Sequence, residues 1–202
     1  MKTSAPPLLP LLRSRLQGDL LSLLYLHPDK EYSLSELAKL LGTSVRMIHF
    51  ECGRLTDAGF VSDRRVGNVR LLRARSESPV ARALQDLLMV TFGPLPVLTE
   101  MLDQTAGVNE AFIYGSWAAR YSGEKGDIPD DIDVLVVGGA SRVVLDEIAE
   151  RAERQLHRHV NIRRIDRESW DAPPKDNAFL LSLKSRPLVS LRAGGRHNVA
   201  LG

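Results

Sequence analysis

Apolar positions in the first 75 residues recur at helical spacing and then switch to a strand pattern. Leu12, Leu16, Leu20, Leu23 and Leu24 share one helical face, and His27-Pro28-Asp29 stops that helix. Ser33 followed by Glu36 is a capping-box signature, and it opens a short helix that Gly42 closes. Thr43 or Ser44 caps a further helix to about Ala58, with Ile48, Cys52 and Leu55 facing inward. Gly59 ends it. Phe60 and Val61 begin a strand, Arg64 to Asn68 form a turn, and Val69 to Arg73 return.

The middle of the chain is helical. Glu77 to Val90 carries Val80, Leu84, Leu87 and Leu88 on one face. Gly93-Pro94 and Pro96 interrupt the pattern, and Val97 to Gln104 predicts a second short helix. This segment, 76–106, reads as a connector between an N-terminal domain, 1–75, and a C-terminal domain, 107–202. Its leucine-lined helix either pairs with its copy in a homodimer or packs on the second domain.

Beyond it, strand and helix patterns alternate. Ala111 to Tyr114 is a short apolar run that closes on Gly115-Ser116, and Trp117 to Arg120 starts a helix. After a loop containing Gly123, Gly126 and Pro129, the stretch Asp131 to Val137 alternates two aspartates with apolar residues. Alternation places Asp131 and Asp133 on one strand face, where they repel each other unless a cation or basic group lies between them. Ser141 to Leu156 is an amphipathic helix with Val144, Ile148, Ala152 and Leu156 inward, and Val160 to Ile165 is a third strand. The succession indicates a small sheet covered by helices, so the expected class is α/β (α+β).

Charge separates the two halves. Residues 1–75 hold 12 Lys+Arg against 7 Asp+Glu, whereas 76–202 hold 15 against 18. A basic front and an acidic back point to different partners. The single cysteine, Cys52, excludes an intramolecular disulfide and a cysteine-based zinc site. Arg13, Arg15, Gln17 and Asp19 break the leucine-rich start, so it does not read as a signal peptide. No run reaches membrane-spanning length, and the expectation is a cytoplasmic protein with no membrane partner.

The segments Leu37 to Ser44 and Arg54 to Val61 resemble a winged helix-turn-helix over roughly residues 10–75. That resemblance implies double-stranded DNA as partner. The second helix enters the major groove and presents Ser44, Val45, Arg46, His49 and Phe50, while the wing arginines Arg64, Arg65 and Arg70 meet phosphates or the minor groove. A protein-docking module remains the alternative, because Val45 and Phe50 make this face less polar than is usual.

Gly115-Ser116 followed by Asp131 and Asp133 at the head of an apolar strand resembles the nucleotidyltransferase superfamily, and within it the minimal nucleotidyltransferases of prokaryotes. The likeness spans about 107 to 192, with Asn177 to Leu191 similar to the closing helix and strand of regulators that fuse a winged helix to such a domain. The implied C-terminal fold is a mixed sheet with flanking helices. The implied ligands are a nucleoside triphosphate held by Gly115 and Ser116, and Mg2+ held by the catalytic pair Asp131 and Asp133. A third carboxylate is implied on the later strand, but Asn161 or Arg163 stands there, and neither is a general base. Asp166 lies past the strand's end. Fourteen residues separate Ser116 from Asp131, a long spacer for the family, and Asp127 within it is an alternative first acid. His157, Arg158, His159, Arg163 and Arg164 form a basic cluster, read either as phosphate-neutralising or as a solvated edge. The sequence thus indicates a DNA-binding regulator whose nucleotide-handling domain is catalytically weakened. The alternative is an active enzyme of antitoxin type that transfers AMP to a protein toxin partner, with an autoregulatory DNA-binding domain.

Overall fold

The computed structural model describes residues 12–191. The protein is mixed α+β, and the chain divides between Gly93 and Pro94 into two compact units.

In the first unit, Ser14 accepts a hydrogen bond from the Gln17 amide and starts α1 (Arg15–Tyr25). A short strand, β1 (Tyr32–Ser33), leads into α2 (Leu34–Leu40). The expected capping box is present: Ser33 Oγ accepts from the Glu36 amide, and the Ser33 amide donates to Glu36 Oε2 at 2.7 Å. Ser44 caps α3 (Val45–Asp57) by accepting from the Met47 amide. The hairpin β2 (Val61–Val66) and β3 (Val69–Ala74) follows, and α4 (Ala81–Phe92) returns to pack on α1. The sheet order is β1-β3-β2, all antiparallel. β1 lies outside the sequence pattern, because two residues carry no periodicity.

Three expectations are corrected here. The turn placed over Arg64 to Asn68 contracts to Gly67-Asn68, since Arg64, Arg65 and Val66 continue the ladder opposite Leu71, Arg70 and Val69. Two-residue loops match the twist of paired strands, so the hairpin runs to its shortest turn. The inner face of α4 is rotated: Ala81, Leu88, Met89 and Phe92 are buried, whereas Val80 and Leu87 are exposed. Leu84 still packs against the core from the edge. Third, Glu51 is buried beside the expected Ile48, Cys52 and Leu55 on α3.

A single apolar core joins α1, α2, α3, the hairpin and α4 through Leu20, Leu24, Leu37, Ile48, Leu72 and Leu88, all fully buried. Each such side chain contributes roughly 1.5–3 kcal/mol by leaving water. Cys52 lies in this core, and burial pushes its thiol up to about 11. Polar ties close the unit: Tyr25 donates to the Phe60 carbonyl, and Gln85 donates to the Tyr25 carbonyl, both at 2.8 Å.

The second unit runs α5 (Pro94–Leu102), β4 (Val108–Tyr114), α6 (Gly115–Tyr121), β5 (Asp131–Gly138), α7 (Arg142–Leu156), β6 (His159–Ile165), α8 (Arg167–Asp171), α9 (Ala178–Lys184) and β7 (Val189–Ser190). Its sheet has the order β6-β5-β4-β7, with β5 and β6 parallel and the other pairs antiparallel. This is the mixed sheet with flanking helices that the sequence leads one to expect. The segment read as a connector is shared out, α4 to the first unit and α5 to the second.

β5 is buried on both faces from Val134 to Val137, as a near-continuous apolar run demands. Leu135 and Val137 pack against Trp170 of α8 and Leu180 and Leu183 of α9. α5 and α7 pack on each other and along β4 and β6. α7 buries Leu145 with Ile148, Ala152 and Leu156. Val144, expected inward, is 39% exposed, because the helix face is centred one residue further on.

The far end of β5 closes against the start of β4 without space for a side chain. Gly138 has φ 136°, and a Cβ there would lie 2.2 Å from the Gly107 carbonyl oxygen. Gly138→Ala therefore forces backbone apart and adds strain, at a cost of about 2–4 kcal/mol to the second unit. A chemical denaturation curve should show that unit's midpoint lowered, with the first unit's unchanged.

Candidate functional site

Three strands and one turn bring the sequence-predicted residues of the second unit together. Tyr114 at the end of β4 stands opposite Asp133 on β5, and Asp133 stands opposite Asn161 on β6. Asp131 pairs with His159 two positions earlier on the same face. The chain then turns at Gly115, whose φ of 70° is a left-handed conformation that glycine adopts at little cost. A Cβ at Gly115 would lie 3.2 Å from Asp133 Oδ2, so the turn sits directly against this carboxylate. Ser116 follows in the first turn of α6 and is exposed.

The pair of acids is unequal. Asp131 is exposed and Asp133 half-buried. Burial first, and Asp131 second, raise Asp133 above its ordinary 3.8; the Asn161 amide, Arg163 and His159 act against them. Asn161 Nδ2 donates to Asp133 Oδ1 at 3.3 Å. The position where a third carboxylate was sought thus holds an amide, and it contacts the acid it would have accompanied. Asp166 is no substitute: it lies five residues beyond Asn161, just past the end of β6 and roughly 16 Å away at strand rise. There it caps α8, accepting from the Ser169 amide at 2.7 Å. Among the described residues no group of three His, Cys, Asp or Glu side chains is arranged to hold a metal.

The basic cluster disperses on folding. Arg163 lies on the same face as the acids, with its guanidinium carbon 4.3 Å from the Phe179 ring centroid. Phe179 also meets Tyr114 edge-on. Tyr114 is raised by burial, then by Asp133, with Arg163 opposing. His159 Nδ1 lies against the Glu153 carboxylate on α7. Arg164 donates to the Ala140 carbonyl at 2.8 Å. Arg158 is structural: its side chain is 6% exposed, it donates to the Pro129 carbonyl, and it stacks 5.8 Å from the Trp117 ring centroid. It fastens the long spacer, in which Ile128 is buried and Asp127 is exposed. The contributions of Phe179 and Tyr114 were not signalled in the sequence, since single aromatics in a helix and a strand read as core.

A cleft of about 420 Å³ opens at the opposite end of β5, lined by Gly138, Gly139, Arg164, Asp166, Ser169 and Asn177. Its polar side chains are engaged as helix caps or in the Arg164 bond.

In the first unit, Val45, Arg46, His49 and Phe50 are all exposed on α3, and Ser44 serves as its cap. The wing arginines differ from one another. Arg64 forms a bidentate pair with Glu31, and Arg70 pairs with Asp63 at 2.6 Å and reaches Thr56. Arg65 is exposed and has no side-chain partner among the described residues. Val66 and Val69 at the hairpin tip are about half exposed, at 50% and 48%. No protein family, curated protein or solved structure matches this chain.

The inequality of the acids has a pH signature. A carboxyl raised in the folded state favours folding when protonated; that contribution is complete below its unfolded value and is lost as pH climbs through the folded one. Asp133→Asn should therefore raise the melting temperature of the second unit at about pH 7, and the gap from wild type should close towards about pH 4. Thermal melts across that range check it, and a variant that melts lower at neutral pH contradicts it.

Proposed function

We propose that the protein is a DNA-binding regulator whose second unit binds a nucleotide together with a divalent cation. The observation that carries the DNA reading is the free outward face of α3, set on a capped helix-turn-helix with a hairpin wing beside it. Two short helices and a hairpin in this order are the scaffold by which a helix is delivered to the major groove. Of the arginines singled out in the sequence, Arg46 and Arg65 are left for DNA, whereas Arg64 and Arg70 are neutralised within the chain.

The nucleotide reading is supported by the meeting of Gly115, Asp131, Asp133 and Asn161 at one end of the sheet. Two carboxylates and an amide suit one hard cation, which prefers oxygen ligands. Asp131 and Asp133 would hold it, and the Gly115-Ser116 turn would present backbone amides to phosphate. Arg163, backed by Phe179, adds a cation for phosphate charge. With Asn161 in place of a base, sensing is favoured over turnover. A nucleotide that prefers one conformation by a few kcal/mol is sufficient to alter DNA affinity.

Two measurements test this. In equilibrium DNA binding at graded salt, Arg65→Ala should weaken affinity and reduce the slope of log K against log salt by about 0.9, one phosphate contact, whereas Arg64→Ala should leave the slope nearly unchanged. An equal loss in both variants, or no salt dependence in the wild type, contradicts the assignment. In calorimetry with ATP or GTP and MgCl2, heat of binding should be present in the wild type and absent in Asp131→Asn. Transfer of nucleotide label to a co-purified protein would instead mark the unit as an active transferase.

A further inference from the structure

The outward surface of α3 has a specific order. At about 100° per residue and opposite the buried Ile48, Glu51, Cys52 and Leu55, Arg46, Phe50, Gly53 and Asp57 form its middle, with His49 beside them and Val45 and Met47 at its two edges. Phe50 is 55% exposed and Val45 47%. The Arg46 guanidinium carbon lies 5.7 Å from the Phe50 ring centroid, and the His49 ring meets Phe50 edge-on at 6.1 Å. The helix has no acidic residue in its first turn, and its one buried acid, Glu51, faces the core.

This composition restricts what the helix can read. Adenine is recognised by the bidentate amide of Asn or Gln, which this face lacks, and cytosine by a carboxylate, which it carries only at its C-terminal end in Asp57. What remains is a guanidinium, which suits the O6 and N7 of guanine, and hydrocarbon, which suits the C5-methyl of thymine. The Phe50 ring also stacks with Arg46, which limits the freedom of the guanidinium before any contact is made.

We propose that α3 reads thymine methyl groups: Phe50 packs on the C5-methyl of a thymine next to a guanine engaged by Arg46. This rests on the DNA-binding reading above and adds the base preference to it.

The test begins with the full chain and a pool of random duplexes, from which bound sequences are enriched. The preferred duplex is then resynthesised with each thymidine replaced in turn by deoxyuridine, which removes only the methyl group. At one position the replacement should weaken binding about fourfold, the effect of burying one methyl. Phe50→Ala should bind the thymidine and deoxyuridine duplexes equally, and so should Phe50→Gln, which keeps a side chain of similar reach. Phe50 is a surface residue, and an unchanged melting temperature will show that both variants are folded. Enrichment followed by equal binding of both duplexes at every position overturns the methyl reading and leaves DNA binding standing. A methyl effect that persists in both Phe50 variants also overturns it. Failure to enrich any duplex removes both readings and marks the α3 face as a protein-docking surface.

Discussion

The second unit depends on one constraint: β5 has to be covered on both faces. Ile132 and Val134 to Val137 are all buried, so the strand occupies an interior position, with β4 and β6 as its neighbours. Once β5 is central, its polar first residues are brought to the mouth of the sheet. Asp131 and Asp133 then face His159 and Asn161 on one side, and Tyr114 on the other. The apolar run thus decides where the acids stand, and the turn at Gly115 is placed against them because β4 ends in that register.

Much of the architecture was legible because it rests on strong local signals. The Ser33-Glu36 capping box, the Ser44 cap, the inward triplet Ile48, Cys52 and Leu55, and the alternation through Asp131 and Asp133 are each encoded by a few neighbouring residues. What was missed needs tertiary information. β1 exists only because β3 offers it a ladder. The faces of α4 and α7 came out rotated by about one residue. Val80 and Leu87, like Val144, are apolar, and spacing alone cannot say which members of a broad stripe meet the core.

The site was partly legible for the same reason. The meeting of Gly115 with Asp133 followed from strand order, but the arginines could not be sorted by sequence. Arg64, Arg65 and Arg70 look alike within the hairpin. Only the fold sets Glu31 beside the first and Asp63 beside the third. The same holds in the basic cluster, where Arg158 became a buried strut for the spacer and Arg163 a stacked cation beside the acids. A long side chain chooses its partner at the end of several free torsions, and that choice depends on the whole neighbourhood.

Cys52 has a practical consequence. It is the only thiol in the chain, it is fully enclosed, and its raised value leaves almost no thiolate near neutrality. An alkylating dye therefore reacts only with molecules in which the core of the first unit has opened. The protein carries its own reporter of local fluctuation in the first unit and needs no engineered label to be read.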